Sequence, residues 1–191
     1  MNMLTDSHDA VTADWAAALL HFWFNEVGEE GWWRHDAALN RLCLARWRDL
    51  WEEKRGLPAE TFLDRADDAL AAVLLFDQIP RNMFRGDAKA FDSDPLARAV
   101  ARGAIAQGYD IQIGGAGRMF FYMPFQHSEA LEDQALSLTL FEGLGDARAL
   151  DFARKHHATI AKFGRFPHRN AALGRETRPE EAAAIEVTSD W

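Results

Sequence analysis

The chain contains 191 residues, of which 48% are hydrophobic and 12% aromatic, and this composition is sufficient for the core of one globular domain. Its formal net charge of -9 argues against nonspecific nucleic-acid binding, which requires a basic surface. The longest uninterrupted apolar run, residues 69–76, is far shorter than the ~20 residues of a membrane-spanning helix, and no signal-peptide pattern is present. Cys43 has no second cysteine to pair with, which suits a reducing cytoplasm. Together with the charge and the short apolar run, this predicts a cytoplasmic protein with neither nucleic-acid nor membrane partners.

Apolar residues recur at helical spacing along almost the whole chain, and strand patterns are nearly absent. The pattern predicts an all-α fold of stacked antiparallel helical hairpins with short connections. We expect one helical domain over residues 11–186, flanked by mobile segments at 1–10 and 187–191. The predicted helices cover residues 12–26, 36–55, 59–77, 95–107, 125–143, 146–163 and 178–185.

Several predicted helix boundaries rest on capping signals. Asp94 before Pro95 is typical of an N-cap followed by a proline in the first turn. Thr177 and Glu180 have the spacing of a capping box. The glycine-rich segment 109–118 is the least helical interior stretch, so it is predicted to be a flexible connection rather than a phosphate-binding loop.

Two distant segments carry a similar set of polar residues, which we call the first cassette (FDQIPRNMFRG, residues 76–86) and the second cassette (FGRFPHRNAALGR, residues 163–175). Each follows an apolar helical stretch, contains a proline, and places arginine and asparagine beside aromatic residues. A third segment, FFYMPFQHSE at residues 120–129, joins aromatics and a proline to a histidine and a carboxylate. Polar groups embedded in apolar sequence are costly to bury unless they satisfy one another or a ligand. The three segments therefore indicate a common site.

Helical periodicity directs three ionisable side chains inward. Asp77, His127 and His156 each share a helical face with apolar residues of their own predicted helix. We therefore expect these three side chains to lie within a hydrogen bond, or one bridging water, of one another.

The second cassette lies in a basic part of an otherwise acidic chain. Residues 152–175 contain three histidines and no aspartate or glutamate. The basic residues there are Arg154, Lys155, Lys162, Arg165, Arg169 and Arg175. We expect Arg165 and Arg169 either to pair with internal carboxylates, Asp77 or Glu129 being the best candidates, or to bind an anion.

Three interpretations of this polar set are open. It can be a buried structural network, or a site in which arginines bind a carboxylate or phosphate while a histidine transfers protons. A metal site built from two histidines and one carboxylate is disfavoured, because no ligand pair has a diagnostic spacing and nearby arginines oppose a cation. We therefore expect no metal and no cofactor. The candidate catalytic residues are His127, His156 and Asp77, and the candidate ligand-binding residues are Arg81, Asn82, Arg85, Glu129, Arg165, His168, Arg169 and Asn170.

A nucleophilic triad is also disfavoured. Ser128 lies between His127 and Glu129, but adjacent helical positions diverge by ~100° and do not face one another. Ser128 is instead predicted to cap the following helix.

The three motifs LLFDQIPRNMFRGDAKAF, RMFFYMPFQHSE and FGRFPHRNAALGR resemble those of the bacterial family of unknown function called DUF924, over residues 22–185. The resemblance implies a helical fold similar to tetratricopeptide repeats, and it implies no activity. On the residues, we expect a polar pocket for a small anionic ligand with acid/base chemistry. The alternative, favoured by the implied fold, is a tetratricopeptide-repeat-like scaffold that binds a protein partner while the polar motifs are structural.

Overall fold

The computed structural model describes residues 14–188, and this part of the chain is helical without strands. The prediction of an all-α chain of stacked helices is thereby confirmed. The segment 1–10 and the start of the first predicted helix lie outside the described residues, as do residues 189–191. No helix between residues 14 and 188 has the length and apolarity needed to cross a membrane.

The helices are numbered here in chain order. Two of them contain a π-helical part: α1 is Trp15–His21 continued by Phe22–Val27, and α4 is Ala66–Val73 continued by Leu74–Gln78 and Ile79–Met83. The others are α2 Gly28–Trp32, α3 Ala37–Lys54, α5 Asp94–Ala106, α6 Tyr109–Ile113, α7 Gly115–Gln126, α8 Leu131–Leu144, α9 Ala147–Phe163 and α10 Ala182–Thr188. Short 3-10 turns occur at Ala59–Phe62, Ala88–Phe91, Pro167–Arg169 and Pro179–Glu181.

The central helix of the fold is α4, which packs against α1, α3, α5 and α7. All of its residues from 69 to 80 are buried, which explains why its sequence is apolar on every face rather than on one stripe. Large aromatic side chains surround it, among them the fully buried Trp51 and Phe120. Beside this core, α8 and α9 form a helical hairpin that closes at Gly145. Asp77 therefore enters the protein interior on the most buried helix.

The prediction that this helix ends at Asp77 is wrong, because α4 continues through Pro80 to Met83. In a regular α-helix the ring of Pro80 would clash with the carbonyl of Phe76 and leave it without its N–H partner. The π-helical turn changes the pairing, since Ile79 N–H donates to the carbonyl of Leu74. The Phe76 carbonyl instead accepts a hydrogen bond from Ser93 Oγ at 2.7 Å. A side chain from the start of α5 thus replaces the missing donor.

The predicted helix 125–143 is in fact the end of α7 and the whole of α8, separated by a break at residues 127–130. The predicted flexible segment 109–118 is also mostly helical, forming α6 and the beginning of α7. Its glycines act at the junctions, where Gly108 and Gly114 adopt positive φ values of 72° and 64°. They turn the chain between helices instead of loosening it.

Both capping predictions are shifted by one residue. Asp94 is the first residue of α5 rather than its N-cap, and its carboxylate binds Arg81. The capping box lies at Arg178 and Glu181, where Glu181 Oε2 accepts from the backbone N–H of Arg178 at 2.9 Å. In both cases the carboxylate is used by arginines from elsewhere in the fold, and tertiary contacts override the local signal.

Candidate functional site

The site is built where the π-helical turn of α4, the end of α7 and the middle of α9 meet the turn that follows α9. Asp77, on the π-helical turn, is fully buried. Both of its carboxylate oxygens lie close to Nδ1 of His127, at 2.9 and 3.0 Å. Gln78 Nε2 donates a further hydrogen bond to Asp77 Oδ2. The expected proximity of Asp77 and His127 is therefore confirmed.

Arg81 holds this carboxylate and a second one. Its Nη1 and Nη2 donate to the two oxygens of Asp94 at 3.0 and 3.1 Å, and Nη1 also lies 3.3 Å from Asp77 Oδ1. Burial acts to raise the pKa of Asp77, but Arg81 and then His127 more than offset this, and the pKa lies well below its usual range. Arg81, a predicted ligand-binding residue, is thus saturated by internal carboxylates and links α4 to α5.

His127 is the ring that this carboxylate orients. Burial lowers the pKa of His127 below its ordinary value, although the charge of Asp77 works in the opposite direction. The imidazole is therefore neutral at neutral pH, and an ionised Asp77 accepts only from a protonated Nδ1. It follows that Nε2 is the unprotonated nitrogen that carries the lone pair, which is the arrangement of a histidine base held by an aspartate.

This tautomer is open to direct measurement. We expect the ¹⁵N shifts of His127 at pH 7 to show a protonated Nδ1 and an unprotonated Nε2, since only Nδ1–H satisfies Asp77. In Asp77→Asn the carboxamide can donate as well as accept, so the preference for one tautomer should weaken or reverse. A His127 that shows the same tautomer mixture in both proteins would contradict the assigned hydrogen bond.

The second cassette contributes a row of rings next to His127. The His156 ring centroid lies 6.3 Å from that of His127 and 5.4 Å from that of Phe166, which in turn is 5.5 Å from the ring of His168. His156 Nδ1 lies 2.8 Å from the Phe152 carbonyl of its own helix. Burial lowers the pKa of His156 to about 3 and that of His168 to about 4. His156 therefore lies beside the Asp77–His127 pair as a second, neutral imidazole.

Arg169 differs from the other arginines of the two cassettes because its guanidinium is buried without a close carboxylate partner. It is only 7% exposed, and Phe91 and Phe166 flank its guanidinium, with ring centroids 4.7 and 4.5 Å from Cζ. Its Nε is buried without a hydrogen-bond partner in the described chain. Its nearest ion pair is long, with Nη1 3.9 Å from Asp94 Oδ2, an oxygen that already accepts from Arg81. Burial and the charge of Arg81 lower the pKa of Arg169 to about 10, so it stays charged at neutral pH.

Arg165 and Asn170 do not join the Asp77–His127–Arg169 group but bind the 3-10 turn that precedes the last helix. Arg165 Nε and Nη2 donate to the carboxylate of Glu181 at 2.7 and 2.8 Å, and Asn170 Nδ2 donates to the same carboxylate at 3.0 Å. Arg165 thus has the internal carboxylate that we expected, although the partner is neither Asp77 nor Glu129. These contacts dock α10 onto the second cassette.

Glu129 also has a structural role in the described fold. Its two oxygens accept from Nη1 and Nη2 of Arg175 at 2.8 and 3.0 Å, and Oε1 accepts from the backbone N–H of Phe166 at 2.8 Å. Ser128 accepts from the backbone N–H of Ala130 and donates to Asp133, so it stabilises the turn before α8 without being its N-cap. The break between α7 and α8 is therefore tied to the second cassette.

The remaining candidates of the first cassette differ in exposure. Asn82 is buried and donates from Nδ2 to the Gln78 carbonyl of its own helix at 3.2 Å. Arg85 is exposed, with Nη2 3.4 Å from Asn82 Oδ1. Neither residue contacts Arg169 or His127 through a hydrogen bond that the structure shows.

Sequence reasoning did not identify four residues that shape the site. The sequence predicts Asp94 as a helix cap, and it singles out no site role for Phe91, Phe166 or Glu181. The pairing of an acid-free basic segment with a carboxylate further along the chain is the only signal that could have found Glu181.

Two surface clefts lie away from Asp77, His127 and Arg169. One, of about 500 Å³, is bounded by Arg165, Arg175 and residues 176–179, and the other, of about 390 Å³, lies between α1 and α3 beside Leu39 and Leu42. Neither is lined by Asp77, His127 or Arg169. Within residues 14–188, no three His, Cys, Asp or Glu side chains are arranged to hold a metal ion.

The comparisons with other proteins cover almost the same span as the described structure. The family described as "Bacterial protein of unknown function (DUF924)" matches residues 19–188. A solved structure of a protein of unknown function from Agrobacterium tumefaciens is similar with a TM-score of 0.84 and 39% sequence identity, over 92% of this chain and 99% of that chain. Curated proteins gave no match.

Proposed function

The chain belongs to the DUF924 family of bacterial proteins of unknown function, and we propose that it binds a small anionic ligand, through a carboxylate or phosphate group, at Arg169 beside the Asp77–His127 pair. The observation that carries this proposal is the state of Arg169. It is a buried cation whose nearest carboxylate, Asp94, is 3.9 Å away and already satisfied by Arg81.

A buried guanidinium without close partners is costly, and an added anion would remove that cost. Charged groups in a protein interior are normally paired and hydrogen-bonded. The neighbouring arginines follow this rule, since Arg81, Arg165 and Arg175 each make two hydrogen bonds to a carboxylate. Arg169 departs from it, and its planar donors suit an oxyanion. A ligand would supply the partner that the described chain does not.

Acid/base chemistry is the second part of the proposal, and it rests on His127. Asp77 fixes the ring through Nδ1, and the lowered pKa keeps the imidazole neutral at neutral pH. Arg169 lies close enough for its charge to contribute to that lowering. A ligand held by Arg169 would therefore lie near a base with an available Nε2, to which it could give a proton.

The test compares two arginines of the second cassette that have different partners. Arg169→Met should leave the free energy of unfolding within about 1 kcal/mol of the wild type, because no close ion pair is lost and repulsion from Arg81 is relieved. The same change should abolish the saturable stabilisation that a small anion, whether a carboxylate or inorganic phosphate, gives the wild type. Arg165→Met is the matched control: it should destabilise the protein, because the buried Glu181 loses two charge-assisted hydrogen bonds and keeps only those from its other partners, and it should keep the response to anions. Urea unfolding with and without each anion measures both properties.

The opposite pattern would sink the proposal. If Arg169→Met is severely destabilised and the wild type shows no response to any anion, Arg169 is part of a structural network and nothing more. The scaffold interpretation would then gain support, and its best location is the cleft between α1 and α3, which no residue of either cassette lines. The six exposed large hydrophobic residues of the described chain are spread over several elements, which favours it less.

A further inference from the structure

The surroundings of Arg169 carry information on the shape and charge of the group it would bind. Both Phe91 and Phe166 have ring centroids less than 5 Å from its Cζ, within the range at which an aromatic ring attracts a guanidinium. Donors of a stacked guanidinium point outward in its own plane, because the rings occupy the space above the planar group. We take the two rings to cover the faces of the Arg169 guanidinium, so that an incoming oxyanion has to approach edge-on.

Edge-on approach between rings favours a planar ligand group. The atoms of a carboxylate lie in one plane, so two oxygens can accept from the guanidinium while nothing projects towards Phe91 or Phe166. A phosphate or sulfonate is tetrahedral. When two of its oxygens lie in the guanidinium plane, the others project out of that plane towards the rings and lose hydration without gaining a donor.

The charges at the site favour a single negative charge. Arg81 and Arg169 contribute two positive charges, and Asp77 and Asp94 contribute two negative ones. Glu129 and Arg175 form a further neutral pair. A monoanion adds one negative charge to this balanced set, whereas a dianion adds two and places them near the carboxylate of Asp94.

We infer that the ligand group is a planar carboxylate with one negative charge, bound edge-on by Arg169 between Phe91 and Phe166. This inference rests on the proposed function and narrows it to small organic acids, excluding phosphate esters. The proton acceptor next to it, His127, would then act on a position of the acid close to its carboxylate.

Four simple anions separate shape from charge. Acetate and nitrate are planar monoanions, methanesulfonate is a tetrahedral monoanion and sulfate is a tetrahedral dianion. The urea midpoint is measured against the concentration of each sodium salt at pH 7, with sodium chloride maintaining the ionic strength. Arg169→Met provides the baseline, because salts such as sulfate stabilise proteins without occupying a site, and that effect appears equally in both proteins.

Acetate and nitrate should give a saturable increase in the midpoint of the wild type that Arg169→Met lacks. Methanesulfonate should bind at least about tenfold more weakly, as expected for one charge-assisted hydrogen bond lost, and sulfate should act alike on both proteins. Arg169→Lys keeps the charge but not the planar fork, so its preference for acetate over methanesulfonate should fall below about threefold. If Arg169→Met does not fold, the wild type and Arg169→Lys still decide the question of shape.

The two proposals fail in different ways. Methanesulfonate or sulfate that binds the wild type as tightly as acetate does, and depends on Arg169, would overturn the carboxylate inference while leaving an anion site in place. If none of the four anions gives a saturable shift that depends on Arg169, both the inference and the proposed function are overturned.

Discussion

Replacing Arg81 with methionine should lower the free energy of unfolding by about 3–5 kcal/mol, the cost of removing one partner from a buried ion pair. Arg81 is the cation for two carboxylates, those of Asp77 and Asp94, which are 0% and 7% exposed. Methionine retains the apolar reach of the side chain, so the loss reports on charge and hydrogen bonds rather than on packing. Urea unfolding of the two proteins measures the difference.

The control for this change is Arg46→Met. Arg46 also forms a short ion pair, 2.7 Å from Glu26, but both side chains are about 40% exposed, and exposed pairs contribute about 1 kcal/mol or less. A cost for Arg81→Met no larger than that of the control would show that Asp77 and Asp94 do not depend on Arg81. Arg169 can partly replace Arg81 at Asp94. The double variant Arg81→Met/Arg169→Met should therefore lower the free energy of unfolding by more than the sum of the two single changes.

Acidification should destabilise the protein strongly between pH 6.5 and pH 4.5, the range in which histidines of the unfolded chain take up protons. Burial lowers the pKa of His156 to about 3, whereas a histidine in the unfolded chain titrates near 6.5. Below pH 6.5 the unfolded state therefore binds a proton that the folded state does not, so stability is complete above that pH and is lost as the pH falls. At pH 4.5 this residue alone should account for about 3 kcal/mol, and His127 and His168 act in the same direction.

A substitution can assign this loss to one side chain. His156→Phe keeps an aromatic ring against Phe166 and removes the titrating group, so the decrease in unfolding free energy between pH 7.5 and pH 4.5 should shrink by about 3 kcal/mol. His35→Phe, at an exposed position, is the matched control and should leave the decrease as in the wild type. Equal pH dependence in the wild type and His156→Phe would mean that His156 accepts a proton in the folded state.

Two residues of the site could be placed from the sequence because helical periodicity determines on which side of a helix a residue lies. Asp77 and His127 each share a face with apolar neighbours, and the two faces meet in the interior. The state of Arg169 could not be predicted in this way. It depends on which basic residue of the segment reaches which carboxylate, and Glu181, which binds Arg165, lies in a 3-10 turn 16 residues later.

The errors in the helix boundaries have a similar origin. Asp before Pro at a helix start is normally a cap, but Asp94 is drawn to Arg81. Pro80 normally ends an α-helix, but Ser93 supplies the donor that the proline lacks, and the π-helical turn lets α4 continue. In each case a partner distant in sequence changed the outcome of a reliable local rule. Local patterns therefore predicted the helices better than their ends.

The burial of α4 has a consequence for how a ligand could enter. Asp77 lies on a helix whose amides should be among the last to exchange with solvent, because opening it exposes the core. Within residues 14–188 the main apolar cluster includes no buried residue after Ala153, and the segment with Arg169 is attached largely through ion pairs and ring contacts. We therefore expect that segment to open at a lower free energy than global unfolding, which its amide exchange rates would show. For the ligand proposed above, such local opening would give a route to Arg169 that leaves the core around α4 closed.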